Sequence, residues 1–203
     1  MKIGILDYKA CNLASVYHTL YNLGYEPIII KSKEDFTKIK KLIIPGVGSA
    51  KHCLNYLRKK NLLIEINKLK DKGMPIMGIC LGMQIFSNKL YEHGTSSGLN
   101  YFDADVVELK FNKKFNIGWH QINLKKNYEA KFNFENKPSF FFCHSYYLNL
   151  KKSFQNKYVV ATIKLENEIP VIIKKNNIFG VQFHPAKSQD NGIKTMQFFL
   201  EQL

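Results

Sequence analysis

Residues 75 to 84 read PIMGICLGMQ, an apolar run that ends in Gly-x-Cys-x-Gly and passes directly into helix-forming residues. A buried strand that switches to a helix around one cysteine constrains the fold more than any other stretch. It repeats, with Cys80 at its apex, the turn that hydrolases build as Gly-x-Ser-x-Gly, and it needs glycine on both sides because the turn is too tight for neighbouring side chains. Such a turn belongs to a parallel sheet covered by helices. At the head of a helix the Cys80 thiolate would be favoured by the dipole, with backbone N–H groups near it to hold an oxyanion. The competing reading is a small buried core cysteine.

The remainder of the first half agrees with that sheet. KIGILDY, PIII (27–30) and KLIIPG (41–46) read as strands. LASVYHTLYNL (13–23) reads as a helix, capped by Asn12 and ended by Gly24, with apolar positions 13, 16, 20 and 23 at helical spacing. KEDFTKIK, SAKHCLNYLRKK and NLLIEINKLKDKG also read as helices. From about residue 100 the texture becomes aromatic and alternating: ADVVELKF, IGWHQINL, SFFFCHSYYL, YVVATIKL, IPVIIKK and NIFGVQFH are predicted strands, and SQDNGIKTMQFFLEQL a closing helix. The expectation is an α/β fold of three layers, with a central, mostly parallel sheet, helices on both faces and a β-rich second half. The 203 residues form one domain, 1–203, at the usual domain size.

Composition removes several function classes. The formal charge of +14 suggests nucleic acid, but Arg58 is the one arginine and the lysines are scattered along the chain. Base-edge and bidentate phosphate recognition rely on clustered arginine. A lysine-rich solvated surface, or attraction for a phosphorylated substrate or acidic partner, accounts for the charge. Cys11, Cys53, Cys80 and Cys143 show no CxxC spacing, and no Cys/His pairs stand at metal-ligand spacing, so no metal is expected. With no secretory leader before MKIGILDY and no apolar run of about 18 residues, the reading is a cytoplasmic chain with reduced thiols.

A cysteine nucleophile needs a histidine distant in sequence and near in space. His184 follows the apolar strand IFGVQF and would emerge at a sheet's C-terminal edge, where such folds place their sites. His144, which ends FFFC, is the alternative; His18 and His52 read as helix-surface positions. IIPGVGSA (43–50) breaks a strand with Pro-Gly-Val-Gly, so its backbone can approach a ligand, either a phosphate or an oxyanion beside Cys80. It lacks the Lys-Ser/Thr of a nucleotide loop.

Taken together, PGVG, GICLGMQ, HSYY and GVQFHP, in this order and spacing, resemble the class I, triad-type glutamine amidotransferases over essentially the whole chain. With DY…NLASV and the central GW, the likeness is greatest to those members that serve as a glutaminase subunit in histidine biosynthesis. The resemblance implies L-glutamine as substrate, no cofactor, and a heterodimeric (β/α)8-barrel synthase partner that receives ammonia internally and stimulates an otherwise idle glutaminase. It implies Cys80 as nucleophile and His184 as proton carrier, Gly46, Val47, Gly48 and the Leu81 N–H at the oxyanion, and Gln84, Glu92, His144, Ser145 and Tyr146 around the glutamine. Asn12, Trp119 and Lys187 fall near the partner; otherwise they are a helix cap, a core tryptophan and a surface lysine.

Three departures stand out. The family's His-Pro-Glu-Lys-Ser is His184-Pro185-Ala186-Lys187-Ser188, without the carboxylate that orients the imidazole. Loss of the orienting acid reduces serine-protease turnover by about 10⁴, and a cysteine, the stronger nucleophile, should lose less, roughly 10- to 10³-fold. The family's Tyr-Gly-x-Gly-Asn-Leu is Tyr8-Lys9-Ala10-Cys11-Asn12-Leu13, so glycine-dependent backbone angles are expected to be lost. Gly-Trp-Asn is Gly118-Trp119-His120. These changes leave two alternatives: a related glutaminase that feeds another synthase, such as one of amidino-sugar modification, or an impaired regulatory subunit.

Overall fold

A computed structural model describes residues 1–9, 12–110, 115–134 and 137–203. The first half contains strands β1 (Lys2–Leu6), β2 (Glu26–Ile30), β3 (Lys41–Ile44) and β4 (Ile76–Ile79), with helices α1 (Leu13–Asn22), α2 (Ala50–Lys59), α3 (Leu62–Asp71) and α4 (Leu81–Gln84). The second half adds β5 (Lys89–Leu90), β6 (Ser96–Ser97), β7 (Ala104–Glu108), β8 (Asn116–Gln121), β9 (Asn123–Leu124), β10 (Ser139–His144), β11 (Tyr146–Leu150), β12 (Val159–Lys164), β13 (Glu168–Lys175) and β14 (Ile178–Val181). Its helices are α5 (Lys126–Phe132), α6 (Lys152–Tyr158) and α7 (Gln189–Gln202).

The central sheet has eight strands in the order β2-β1-β3-β4-β14-β13-β12-β9. Pairing is parallel from β2 through β14 and antiparallel beyond it. Buried side chains alternate between two cores. In β3, Leu42 and Ile44 join a cluster with Leu54, Leu57 and Ile66 of α2 and α3, whereas Ile43 joins one with Val16 and Leu20 of α1 and Met196 and Phe199 of α7. This period of two along strands buried on both faces produces the three layers the sequence predicts.

Local differences have local causes. KEDFTKIK forms a 3-10 turn over Glu34–Lys38, and the helix after Cys80 lasts four residues before the chain turns at Ile85. SFFFCHSYYL is two strands divided at Ser145, because β10 pairs with β8 while β11 crosses to β7. Helices α5 and α6 replace polar turns; their lysine-rich stretches carry too few apolar positions to show a helical period. Gly24, with φ +80, closes α1 as expected.

Candidate active site

The site forms where β3, β4 and β14 end side by side. Their register sets Ile44 beside Gly78 and Gly78 beside Gly180, so the next residues of each strand, Pro45–Gly48, Cys80 and Gln182–His184, emerge together. Parallel sheets place ligands at this edge for that topological reason.

Cys80 occupies the apex with φ 52 and ψ −107, a left-handed conformation rare for a side-chain-bearing residue. Its N–H donates to the Val181 carbonyl at 2.7 Å, and its carbonyl accepts from Met83 and Gln84. The flanking glycine is required by packing: a Cβ on Gly82 would overlap the Ile44 carbonyl oxygen, and one on Gly46 would run into Leu81 and the Gly82 amide. The Gly-rich loop and the elbow are thus pressed together backbone to backbone.

One pocket of about 440 Å³ is lined by Cys80, His184, Val47, Gly48, Leu81, Gln84, Glu92, His144, Ser145, Tyr146, Asn12 and Lys187. The structure therefore brings together nearly every residue that the sequence singled out. Gly46 lies directly beneath, against Leu81, and Trp119 lies outside the lining.

Strand β10 presents its free edge to this pocket. Phe141 accepts from the His184 N–H at 3.0 Å and donates to the Ser188 hydroxyl, also at 3.0 Å. Two residues on, the Cys143 carbonyl accepts from the Cys80 thiol at 3.9 Å. Burial pushes the Cys80 thiol up to about 12, against the opposing pull of the Leu81 N–H and Gln182. Against the expectation of a helix-favoured thiolate, α4 is one turn long and burial is the largest influence on the thiol, raising it. Burial, then the charge of Lys187, lowers the His184 pKa, and a hydrogen bond to the Cys143 carbonyl works the other way. The resting pair is thus a neutral thiol and a neutral imidazole.

The other members have defined partners. The Val47 N–H donates to the Tyr8 hydroxyl at 3.2 Å. The Glu92 carboxylate accepts the Ala50 N–H at 2.7 Å and so caps α2, where Ser49 makes no side-chain cap. His144 Nδ1 lies 2.8 Å from the Tyr146 carbonyl, which can only accept, so Nδ1 carries the proton and Nε2 accepts from Asn116 Nδ2 at 3.0 Å. With both nitrogens engaged and burial lowering its pKa to about 4, His144 is a fixed neutral group and no rival to His184 as a base.

Gln84 donates to the Tyr146 carbonyl at 2.8 Å and to Gln182 Oε1 at 3.1 Å. Gln182, fully buried, donates in turn to Cys80 Sγ at 3.4 Å. Sequence reasoning missed Gln182, Tyr8 and Asn116. The one available signal for Gln182 was a carboxamide inside the apolar strand GVQF.

Ala186 borders a narrow cavity of about 20 Å³ with His184, Lys187, Asn12 and Ser15, room for about one water. Lys9 takes φ 68 without being glycine, held by its N–H to Asp7 Oδ1 at 2.8 Å, so the first glycine-like angle of the N-terminal loop is retained. Ala10 and Cys11 lie outside the described residues. Asn12 caps α1 as predicted: its Oδ1 accepts the Ser15 N–H at 3.5 Å and the Ser15 hydroxyl at 3.2 Å. Trp119 is 47% exposed and meets Phe141 edge-on, with Phe115 and Ile117 exposed on the same side, while Lys187 Nζ lies 5.6 Å from the Phe141 ring centre. Trp119 is therefore no core tryptophan; it stands on an apolar surface beside the pocket mouth.

Residues 4–202 match the family described as glutamine amidotransferase class-I. The imidazole glycerol phosphate synthase subunit HisH of Lactococcus lactis is 37% identical over 203 residues, covering 100% of this chain and 99% of that protein. The subunit of the same name from Caldanaerobacter subterraneus is 38% identical over 203 residues, covering 99% and 98%. A crystal structure of a glutamine amidotransferase superposes with a TM-score of 0.77 at 19% identity, covering 98% of this chain and 97% of that one, which supports the fold. This chain belongs to the class I glutamine amidotransferases and, within them, to the HisH subunits of imidazole glycerol phosphate synthase.

Proposed function

We propose that this chain hydrolyses L-glutamine to L-glutamate and ammonia through a thioester on Cys80, and passes the ammonia to a (β/α)8-barrel synthase subunit of the HisF type. The products of that pair would be imidazole glycerol phosphate and AICAR, in histidine biosynthesis in the cytoplasm. The observation that carries this reading is the meeting of Cys80 and His184 in one pocket, joined by the Cys143 carbonyl that partners both.

Because both groups are neutral at rest, the thiol proton moves to His184 as Cys80 Sγ attacks the carboxamide carbon of glutamine. His184 then delivers that proton to the departing ammonia, and afterwards takes one from the water that opens the thioester. The Leu81 N–H, which hydrogen-bonds the sulfur at rest, would turn to the oxyanion as it forms. Val47 supplies the second donor once its amide leaves Tyr8. The imidazolium has a backbone carbonyl as its acceptor where the family keeps a carboxylate, so charge stabilisation is weaker and turnover slower.

Glu92, Ser145 and Tyr146, which line the pocket, would bind the polar end of the substrate, with Gln84 and His144 holding those walls in place. The apolar face of Phe115, Ile117 and Trp119, flanked by Lys187 and Asn12, is the docking surface for the synthase. No helix of the described residues is long and apolar enough to cross a membrane.

The test is glutamate release by the purified chain with and without the barrel synthase and its phosphorylated ribosyl-aminoimidazole ligand. Stimulated release together with product formation supports the proposal. Stimulation by a different synthase alone would assign the ammonia elsewhere.

A further inference from the structure

The Tyr146 carbonyl can only accept, so the atom of Gln84 facing it is Nε2, and that nitrogen's second hydrogen faces Gln182. Gln182 must then turn Oε1 toward Gln84 and Nε2 toward Cys80 Sγ. A backbone carbonyl thereby dictates the orientation of two buried carboxamides in series. Both side chains are buried, 5% exposed for Gln84 and 0% for Gln182, so water does not compete for these bonds.

We infer that Gln182 is a further catalytic residue, a fixed N–H donor that stabilises the negative sulfur of Cys80, with Gln84 as the positioning residue that keeps this donor pointed at it. The inference rests on the proposed role of Cys80 as nucleophile. In the neutral thiol, S–H points to the Cys143 carbonyl at 3.9 Å. Once the proton leaves, that carbonyl repels the sulfur, and the Leu81 and Gln182 N–H groups are the donors that face it. The same donors face the sulfur when it becomes a leaving group again as the thioester opens. Charge-assisted hydrogen bonds are stronger than neutral ones, so the bond gains strength as the thiolate develops.

The experiment is the pH profile of Cys80 alkylation by iodoacetamide in the full chain, followed by mass spectrometry of the Cys80 peptide. It requires neither glutamine nor the synthase. Gln182→Met keeps the volume and removes the donor; it is expected to slow alkylation roughly 10- to 100-fold at a given alkaline pH by moving the profile upward, the range of one charged hydrogen bond. Gln84→Met should shift the profile in the same direction by less, and it stands as the second test should Gln182→Met not fold. With the synthase bound, Gln182→Met should lower kcat for glutamate release with KM nearly unchanged. Alkylation profiles of both variants that overlay the unmodified chain would overturn the inference. A shifted profile in a chain that never releases glutamate would uphold the Gln182–Cys80 bond and refute the glutaminase reading.

Discussion

The Tyr8 hydroxyl accepts the N–H of Val47 at 3.2 Å, which ties the Gly-rich loop to the end of the first strand and occupies one of its amides before any substrate arrives. Removing that acceptor frees the amide for the oxyanion. Tyr8→Phe is expected to raise glutamate release by the isolated chain about 3- to 10-fold, a fraction of what one oxyanion donor is worth. The rate with the synthase should change little. Steady-state assays of both forms check this, and a fall in the isolated rate would mean that Tyr8 supports the loop instead of restraining it.

Ala186→Glu restores a carboxylate beside His184, in a position that borders the small cavity shared with Lys187. Turnover with the synthase should rise roughly 10- to 10³-fold, mostly in kcat, because the acid stabilises an imidazolium that forms during reaction. Equal, high rates for the two forms would show that the Cys143 carbonyl suffices.

His144 makes an acid-sensitive contribution to stability. Its folded-state pKa is depressed from 6.5 to about 4 by burial, so between these values the unfolded chain binds the extra proton. The contribution is present in full above about pH 6.5 and is lost as pH falls through about 4, by about 3 kcal/mol in total. Urea unfolding at a series of pH values should show this slope in the unmodified chain and a flatter one in His144→Gln.

Gly82→Ala places a methyl group on the Ile44 carbonyl oxygen, a backbone atom that cannot swing aside. A loss of about 1–3 kcal/mol in unfolding free energy is expected, with glutamate release abolished because the elbow must open. Retention of wild-type stability and activity would contradict the packing described for the elbow.

The strand-to-helix turn at Cys80, the parallel sheet and the position of His184 were legible in the sequence because each rests on local chemistry: glycine spacing, β-branched runs and a histidine after an apolar strand. Trp119 was assigned to the partner side only through the resemblance, with a core tryptophan as the competing reading; its own residues could not decide, since exposure depends on how β8 and β10 pair and nothing in GWH distinguishes a core face from a docking face. The burial that raises the Cys80 thiol was not legible for a related reason. A helix start is visible in sequence, but its length of one turn and the burial around the sulfur are tertiary facts. The carboxamide series from Gln84 to Gln182 joins residues 98 apart, which no local pattern signals. The angle at Lys9 shows the converse, since a hydrogen bond to Asp7 held a backbone shape that composition alone argued against.

Amide hydrolysis by Cys80 and His184 is decided by the reaction of a glutamine-analogue electrophile with the chain alone and with the synthase and its ligand bound. One covalent adduct is expected, on the peptide that contains Cys80, formed faster with the synthase, slowed in His184→Ala and absent in Cys80→Ala. Labelling of Cys53 or Cys143 in its place, or undiminished glutamate release by Cys80→Ala, would contradict it.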